Sequence, residues 1–520
     1  MSEARAADRA GVREWLGLAV LALPCLLVSL DGSVLGLAVP RLAADLHPSA
    51  AQLLWITDSY TFLVAGALLT MGVLADRFGR RRVLLLGAAG FGAASALAAF
   101  APDPGTLIVA RALTGLAGAS LMPATLSLIR VMFRTPAQLS LATGIWAASF
   151  SLGGLAGPLV GGLLLARAWW GAVFLVAVPV MAVLLVAGPV LLPESRAETR
   201  RRPDPVSAGL SLVAVLLHVH GLKALAQDGA ASRTWPVSML AGALVAVLFV
   251  RRQRRAEHAF VDGALLRRPA FAVPVAMTAV AFFTLYAHQL LVAQYLQLVL
   301  GLSAQAAGLW TVPSVLTFLA GSLLTPVVRR RAPAHVVVAA GAGLMATGLA
   351  VMVAVGSGPG TAAYLVGSVV LSAGLGPLYA VATASAVGAA PRRQAGVASA
   401  VSETGAELGG ALGVAVLGSL AAAVYRARVA AGAPDGLPSG ASDAARRTLG
   451  EGLAAAHALP ARLGDPLGEA ARQAFVDGFR VVSGVAAVLL VAAALVAVPV
   501  LRRVTREADD DGTGEVAEAR

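Results

Sequence analysis

Residues 72–84, GVLADRFGRRRVL, decide how this chain is folded. Two glycines, one acid and a run of arginines lie between two long apolar stretches. Gly72 permits a close helix approach and Gly79 a tight turn, because neither carries a Cβ. Asp76 is placed to accept hydrogen bonds from a neighbouring helix terminus or from an arginine fork. Arg77 and Arg80–Arg82 give the loop the basic character of the inner side of a membrane protein.

Working outward, the 520-residue chain is 58% hydrophobic and 13% charged, with a mean hydropathy of +0.79. Soluble domains carry about 25% charged residues. A span needs ~20 mainly apolar residues. Fourteen segments meet that need, near 15–39, 51–73, 83–101, 106–129, 139–165, 170–192, 206–226, 235–251, 270–298, 306–328, 334–354, 361–385, 395–421 and 480–501. With both termini in the cytoplasm, inner loops and tails collect 28 of the 40 Lys and Arg residues, and the short outer loops hold only Arg41, Arg167 and Arg233. Removing one span would place arginine clusters on both sides, so fourteen is the consistent count.

The resulting division is a cytoplasmic N-terminus (1–14), a six-helix bundle (15–192), two linker helices with cytoplasmic loops (193–268), and a second six-helix bundle (269–501). The second bundle includes a long outer loop, 422–479, which reads as short amphipathic helices, and an acidic cytoplasmic tail follows at 502–520. The net charge of +12 is spread through these inner loops and does not indicate a nucleic-acid partner. No G-x-x-x-x-G-K-[ST] loop provides an ATP site. The single Cys25 excludes an intrachain disulfide. His218 and His220, two apart on a helix, point to different faces and make a poor metal site. No cleavage site follows the first apolar run, so no cleaved signal peptide is expected.

The loop matches the signature G-x-L-A-D-R-x-G-R-[RK]-[RK], and the chain resembles the major facilitator superfamily throughout. Residues 321–331, GSLLTPVVRRR, repeat Gly72, Leu74 and Arg80–Arg82 at the same spacing, with Thr325 in place of the acid. The stretch 107–119, LIVARALTGLAGA, resembles the drug-exporter pattern with an intramembrane arginine, although Thr114 replaces the usual Gln. Residues 153–162, GGLAGPLVGG, resemble the antiporter motif G-x-x-x-G-P-x-x-G-G. Small residues four apart, such as Gly153, Gly157 and Gly161, let backbones touch, and Pro158 kinks the helix. With 30–40 (LDGSVLGLAVP), 55–60 (WITDSY) and 123–133 (PATLSLIRVMF), the chain resembles the fourteen-span drug:proton antiporters, and within them the QacA-type exporters.

That resemblance implies an all-α integral membrane protein with a major facilitator fold, fourteen transmembrane helices arranged as two six-helix halves plus two central ones. It further implies a monomer in the cytoplasmic membrane that needs no cofactor and is driven by the proton gradient. The expected cargo is hydrophobic and cationic, with a dedicated natural-product exporter as the alternative. Gly153–Gly162 would form a pivot contact during alternating access, and Asp76 would latch one state. Span ten carries Phe318 where broad-specificity exporters of dications can carry an acid, which favours monovalent cations.

Ionisable residues inside a membrane are the default functional candidates. They are Asp31 in span one, Asp58 in span two, Arg111 in span four, and Glu403 and Glu407 in span thirteen. At 1.5 Å per residue, Asp31, Asp58 and Arg111 lie roughly 12, 10 and 8 Å from the outer side, so they share a layer. Glu403 and Glu407, spaced i, i+4, share one helix face roughly 12 and 18 Å from the inner side. Low dielectric and neighbouring acids raise a carboxyl pKa, and arginine lowers it. A proton and a lipophilic cation then compete for one carboxylate. Proton coupling is assigned to Asp31, Asp58, Arg111 and Glu407. Cation contact goes to Asp58, Glu403 and Glu407, with Trp55, Trp146 and Tyr286 supplying aromatic faces. For Asp31, a structural tie to Ser33 or Arg111 is the alternative.

Overall fold

A computed structural model describes residues 10–48, 50–196, 205–228, 232–255, 263–356, 362–391 and 394–518. The described residues form helices and connecting turns, without strands. The first half contains α1 (Val12–Leu46), α2 (Ala50–Phe78), α3 (Arg80–Ala99), α4 (Pro104–Met132), α5 (Pro136–Arg167), and a broken sixth element, α6 (Ala172–Leu175) and α7 (Ala177–Leu191). Two helices follow, α8 (Pro205–Asp228) and α9 (Thr234–Arg255), then the short α10 (Gly263–Arg267). The second half contains α11 (Pro269–Gln294, ending in a π turn at Tyr295–Val299), α12 (Ala304–Arg329), α13 (Ala334–Met352), α14 (Ala362–Ala389) and α15 (Ala395–Gly432). Beyond it lie α16 (Ser439–Arg447), α17 (Leu449–Ala458) and α18 (Ala461–Glu518).

A helix overlies each of the fourteen expected segments. Among the described residues, eleven are long and apolar enough to cross a membrane, or twelve if Ser59–Leu68 and Thr70–Phe78 of α2 form one bent span. The helix α8 offers only a shorter apolar run, Gly209–His218. Large apolar side chains face outward, including Leu240 at 72% and Leu495 at 71% exposure, an arrangement that water would not tolerate over so wide an area.

The two halves repeat one packing pattern. In the first, α1 packs on α5, α2 on α4, α3 on α4, and α3 on α7; in the second, α11 packs on α15, α12 on α14, α13 on α14, and α13 on α18. The halves meet along two equivalent seams, α2 against α15 and α5 against α12. Glycine makes both seams possible. A Cβ on Gly72 would lie 2.6 Å from the Gly396 carbonyl oxygen, and one on Gly144 would lie 2.6 Å from that of Ser322. The hairpin of α8 and α9 lies outside both halves, and α8 packs on both α2 and α15. His218 is a packing group in this hairpin: its Nδ1 lies 2.7 Å from the Ala214 carbonyl oxygen, and its ring abuts Gly242.

The segment 422–479 is folded. It comprises the end of α15, the helices α16 and α17, and the start of α18. The Tyr425 hydroxyl donates to the Ala445 carbonyl at 2.8 Å, and Arg428 pairs with Asp477 at 3.4 Å. Arg480 ties α18 to the end of α13 through the Val355 carbonyl at 2.7 Å.

Candidate functional site

Three constellations emerge from the residues singled out by sequence. The first is at the arginine-rich end of the α2–α15 seam. Asp76 and Arg80, one turn apart, are 6% and 2% exposed. Arg80 donates to Asp76 Oδ1 from Nη2 at 2.8 Å and from Nε at 3.0 Å. Across the seam, the backbone N–H of Gly396 donates to Oδ1 at 3.1 Å and that of Val397 to Oδ2 at 3.2 Å. These are the opening residues of α15, whose first N–H groups have no partner within the helix. Asp76 therefore caps a helix of the other half, with the helix dipole favouring its charge. Its carboxylate holds both halves together at this end. A second tie joins the Arg130 guanidinium on α4 to the Gly388 carbonyl on α14 at 2.9 Å.

Gly79 has φ +109°, in the region that favours glycine, and the space of a Cβ is taken by the Glu194 carboxylate 2.6 Å away. Glu194 accepts the Arg81 N–H at 3.3 Å and lies 3.8 Å from the guanidinium groups of Arg81 and Arg82. The sequence reading did not single out Glu194. The signal was its place immediately after an apolar span, free to return to the arginine block. Arg77 lies over the Phe78 ring at 5.1 Å.

The second constellation is in the first half. Arg111 on α4, 1% exposed, donates from Nη1 to Asp31 Oδ2 on α1 at 2.6 Å. It also donates from Nε to the Ile56 carbonyl on α2 at 3.4 Å. Its guanidinium carbon lies 4.6 Å from the Tyr60 ring centre and 5.7 Å from that of Phe174. A cation beneath aromatic faces is stabilised by their quadrupoles. The structural tie between Asp31 and Arg111 is thus formed. The side chains of Asp58, Pro158 and Ser33 lie outside the described residues.

The third joins both halves. Glu403, 5% exposed, accepts from the Tyr379 hydroxyl of α14 at 3.2 Å. Glu407, one turn further along α15, accepts from the Tyr286 hydroxyl of α11 at 3.5 Å. The Phe282 ring lies 5.5 Å from Tyr286 and 5.2 Å from Tyr379, which closes an aromatic wall around the acids. From the first half, Trp146 on α5 brings its ring within 6.3 Å of Tyr379 and donates from Nε1 to Thr125 Oγ1 on α4 at 3.0 Å. Among the described residues neither Glu403 nor Glu407 has an ion-pair partner, in contrast to Asp31 and Asp76. Tyr379 and Thr125 were not singled out, since nothing in the residues around either one indicates which helix it faces.

Trp55 stands apart from this group: it is half exposed and meets the Phe62 ring edge-on at 6.2 Å. The antiporter-like glycines also act within one half. A Cβ on Gly153 would collide with the Leu26 backbone of α1, and Gly157 and Gly161 are buried on the same helix. The inter-half approach on α5 is at Gly144, about two turns from the start of that helix and outside the motif.

Residues 21–414 match the Major Facilitator Superfamily. The chain is 42% identical over 499 residues to the multidrug efflux pump LfrA of Mycolicibacterium smegmatis, covering 95% of this chain and 98% of that one. It is 33% identical over 512 residues to the tetracenomycin C resistance and export protein of Streptomyces glaucescens, covering 96% and 93%. The solved structure of a bacterial homologue of the human lysosomal transporter Spinster shares the fold, with TM-score 0.54 at 19% identity, over 95% of this chain and 99% of that one. The repeated six-helix packing and the glycine-sealed seams are therefore those of a transporter, and the chain belongs to the Major Facilitator Superfamily.

Proposed function

We propose that this protein exports hydrophobic, chiefly cationic drugs, dyes or antiseptics across the cytoplasmic membrane in exchange for protons. The observation that carries this reading is the Glu403–Glu407 pair. Each acid is bonded by a tyrosine, neither has an ion-pair partner among the described residues, and an aromatic wall from both halves surrounds them. An isolated charge in such surroundings is costly. The site is served either by a proton on the acid or by a lipophilic cation beside it, and exclusive occupancy by one or the other couples the two fluxes. Alternating access then carries each occupant in its own direction.

The fourteen apolar segments, each overlain by a helix, are read as fourteen spans with both termini in the cytoplasm. The arginine-rich end of the α2–α15 seam is thus the cytoplasmic end, and the Asp76 latch holds it shut. The Asp31–Arg111–Tyr60 group responds to proton binding within the first half. The transporter works as a monomer, without a cofactor. This reading predicts that dye efflux collapses with a protonophore and survives ATP depletion at constant proton gradient. Efflux that persists under the protonophore refutes it.

A dedicated natural-product exporter is the second reading, favoured by the match to a tetracenomycin C export protein. A panel of lipophilic cations and neutral antibiotics, tested in cells lacking their own pumps, separates the two. Extrusion of one neutral compound and of none of the cations would decide for the second.

A further inference from the structure

Buried hydroxyl and amide groups are ordinarily paired, and leaving one unpaired in a protein interior is costly. Between Glu403 and the arginine-rich end of the molecule this rule fails repeatedly. Thr383 Oγ1 on α14, Ser399 Oγ on α15, and both Nε2 and Oε1 of Gln394 at the start of α15 are buried and have no hydrogen-bond partner among the described residues. Ser399 is 0%, Thr383 1% and Gln394 5% exposed.

Their placement is ordered. The helices α14 and α15 are antiparallel neighbours, joined by a short connection, and the Tyr379–Glu403 hydrogen bond fixes their register. One turn from that bond toward the arginine-rich end are Thr383, four residues after Tyr379, and Ser399, four residues before Glu403. The two hydroxyls therefore stand at the same level, one on each helix, directly below the acid. Gln394 lies at the start of α15, roughly 14 Å from the level of Glu403 at 1.5 Å per residue. Above the acid the Tyr286 hydroxyl is used by Glu407, while Thr404 Oγ1 is also buried without a partner among the described residues.

We propose that Thr383, Ser399 and Gln394 form the polar lining of a proton path from Glu403 to the cytoplasm, sealed by the latch and hydrated when the latch opens. The seal is α2. Gly72 lies against Gly396 and Ala400, which flank Ser399 in sequence, and Asp76 holds the N–H groups of Gly396 and Val397. Withdrawal of α2 exposes this stretch of α15 and admits water, which satisfies the orphaned hydroxyls and amide. The proton leaves the Glu403 carboxyl oxygen for that water, the carboxylate stays behind, and the charge is carried to bulk as hydronium. The three lining side chains are polar but neither acid nor base, so they pass a proton without retaining it. The inference rests on the proton-coupled reading above and names the route that reading leaves open.

Two measurements on the full-length protein, with Cys25→Ser as background, test it. In inside-out vesicles, Ser399→Cys is challenged with the membrane-impermeant thiol reagent 2-sulfonatoethyl methanethiosulfonate, with and without Asp76→Asn. Modification at least tenfold faster in the unlatched protein supports the path; equal rates, or no modification in either, overturn it. In proteoliposomes, Thr383→Val and Ser399→Ala should slow proton-driven tetraphenylphosphonium transport at least tenfold. Tetraphenylphosphonium exchange at equal pH should stay within twofold, and Thr383→Ser should restore the coupled rate. Parallel loss of both activities, or retention of both, overturns the path. A wild-type protein that moves tetraphenylphosphonium but ignores the proton gradient refutes the coupling itself, and the labelling result still decides whether the route takes water.

Discussion

Replacing Asp76 with Asn tests the latch with little change of shape. The carboxylate accepts two backbone N–H groups across the seam, from Gly396 at 3.1 Å and Val397 at 3.2 Å. A hydrogen bond to a charged acceptor contributes about 1.5–3 kcal/mol, and a neutral one about 0.5–1.5. Asparagine offers one acceptor oxygen where the carboxylate offers two, so one N–H keeps a neutral bond at a loss of about 1 kcal/mol while the other faces an amide NH2 and loses about 2 kcal/mol, together about 3 kcal/mol. Arg80 is paired with Asp76 within the same half, so that loss falls on both conformations and largely cancels. At 1.36 kcal/mol per decade, the ratio of latched to unlatched molecules should fall roughly 150-fold. Nitroxide labels on Phe78→Cys at the end of α2 and Val336→Cys at the start of α13, both exposed, report the separation of the halves by electron–electron distance measurement. The asparagine variant should show a longer distance that is minor or missing in the parent. The same distribution in both proteins would refute the assignment of Asp76 as the tie between halves.

Glu407→Gln and Glu403→Gln should each abolish proton-driven cation export while leaving membrane expression within twofold; unchanged efflux in both would remove these acids from the site. Asp31→Asn leaves the Arg111 guanidinium buried without its ion pair, and breaking a buried pair in this way costs about 3–5 kcal/mol. A fall in thermal midpoint measured in detergent checks this, and a smaller loss in the double variant Asp31→Asn/Arg111→Gln is expected. Gly153→Ala would drive a methyl group into the Leu26 backbone and should unfold the α1–α5 contact, whereas Gly162→Ala meets nothing within 4 Å and should be tolerated. Comparing the yields of properly folded protein from the two variants measures the difference.

Much of the architecture was legible because membrane physics writes itself into local sequence. Apolar length announces each helix, and a glycine–acid–arginine loop fixes the end of α2. The recurrence of that loop at Gly321–Arg331 foretold a duplicated architecture, and the repeated packing pattern displays it. Depth arithmetic likewise brought Asp31 and Arg111 to one layer, where they form an ion pair. Helix rise is regular enough for such estimates to carry across two spans.

Partners across helices were not legible. Nothing about Tyr379 or Thr125 in isolation indicates that one bonds Glu403 and the other receives Trp146. The glycine motif at Gly153 correctly signals close packing, but its period cannot say whether the facing backbone belongs to the same half. It belongs to α1, while the unheralded Gly144 meets the other half at Ser322. Trp55 and Trp146 looked equivalent as aromatic residues within spans, yet one is half exposed and the other fully buried beside Tyr379. The sequence by itself thus determined which segments become helices, which end carries the arginines and which acids are placed in the membrane, because each is set by residues near in the chain. Only the tertiary structure decided that Asp76 caps the opposite half, that Arg111 neutralises Asp31, and that Glu403 and Glu407 stand without an ion-pair partner among the described residues. Those outcomes depend on the rotation and register of helices whose paired residues lie 80 to 321 positions apart, which periodicity alone does not set.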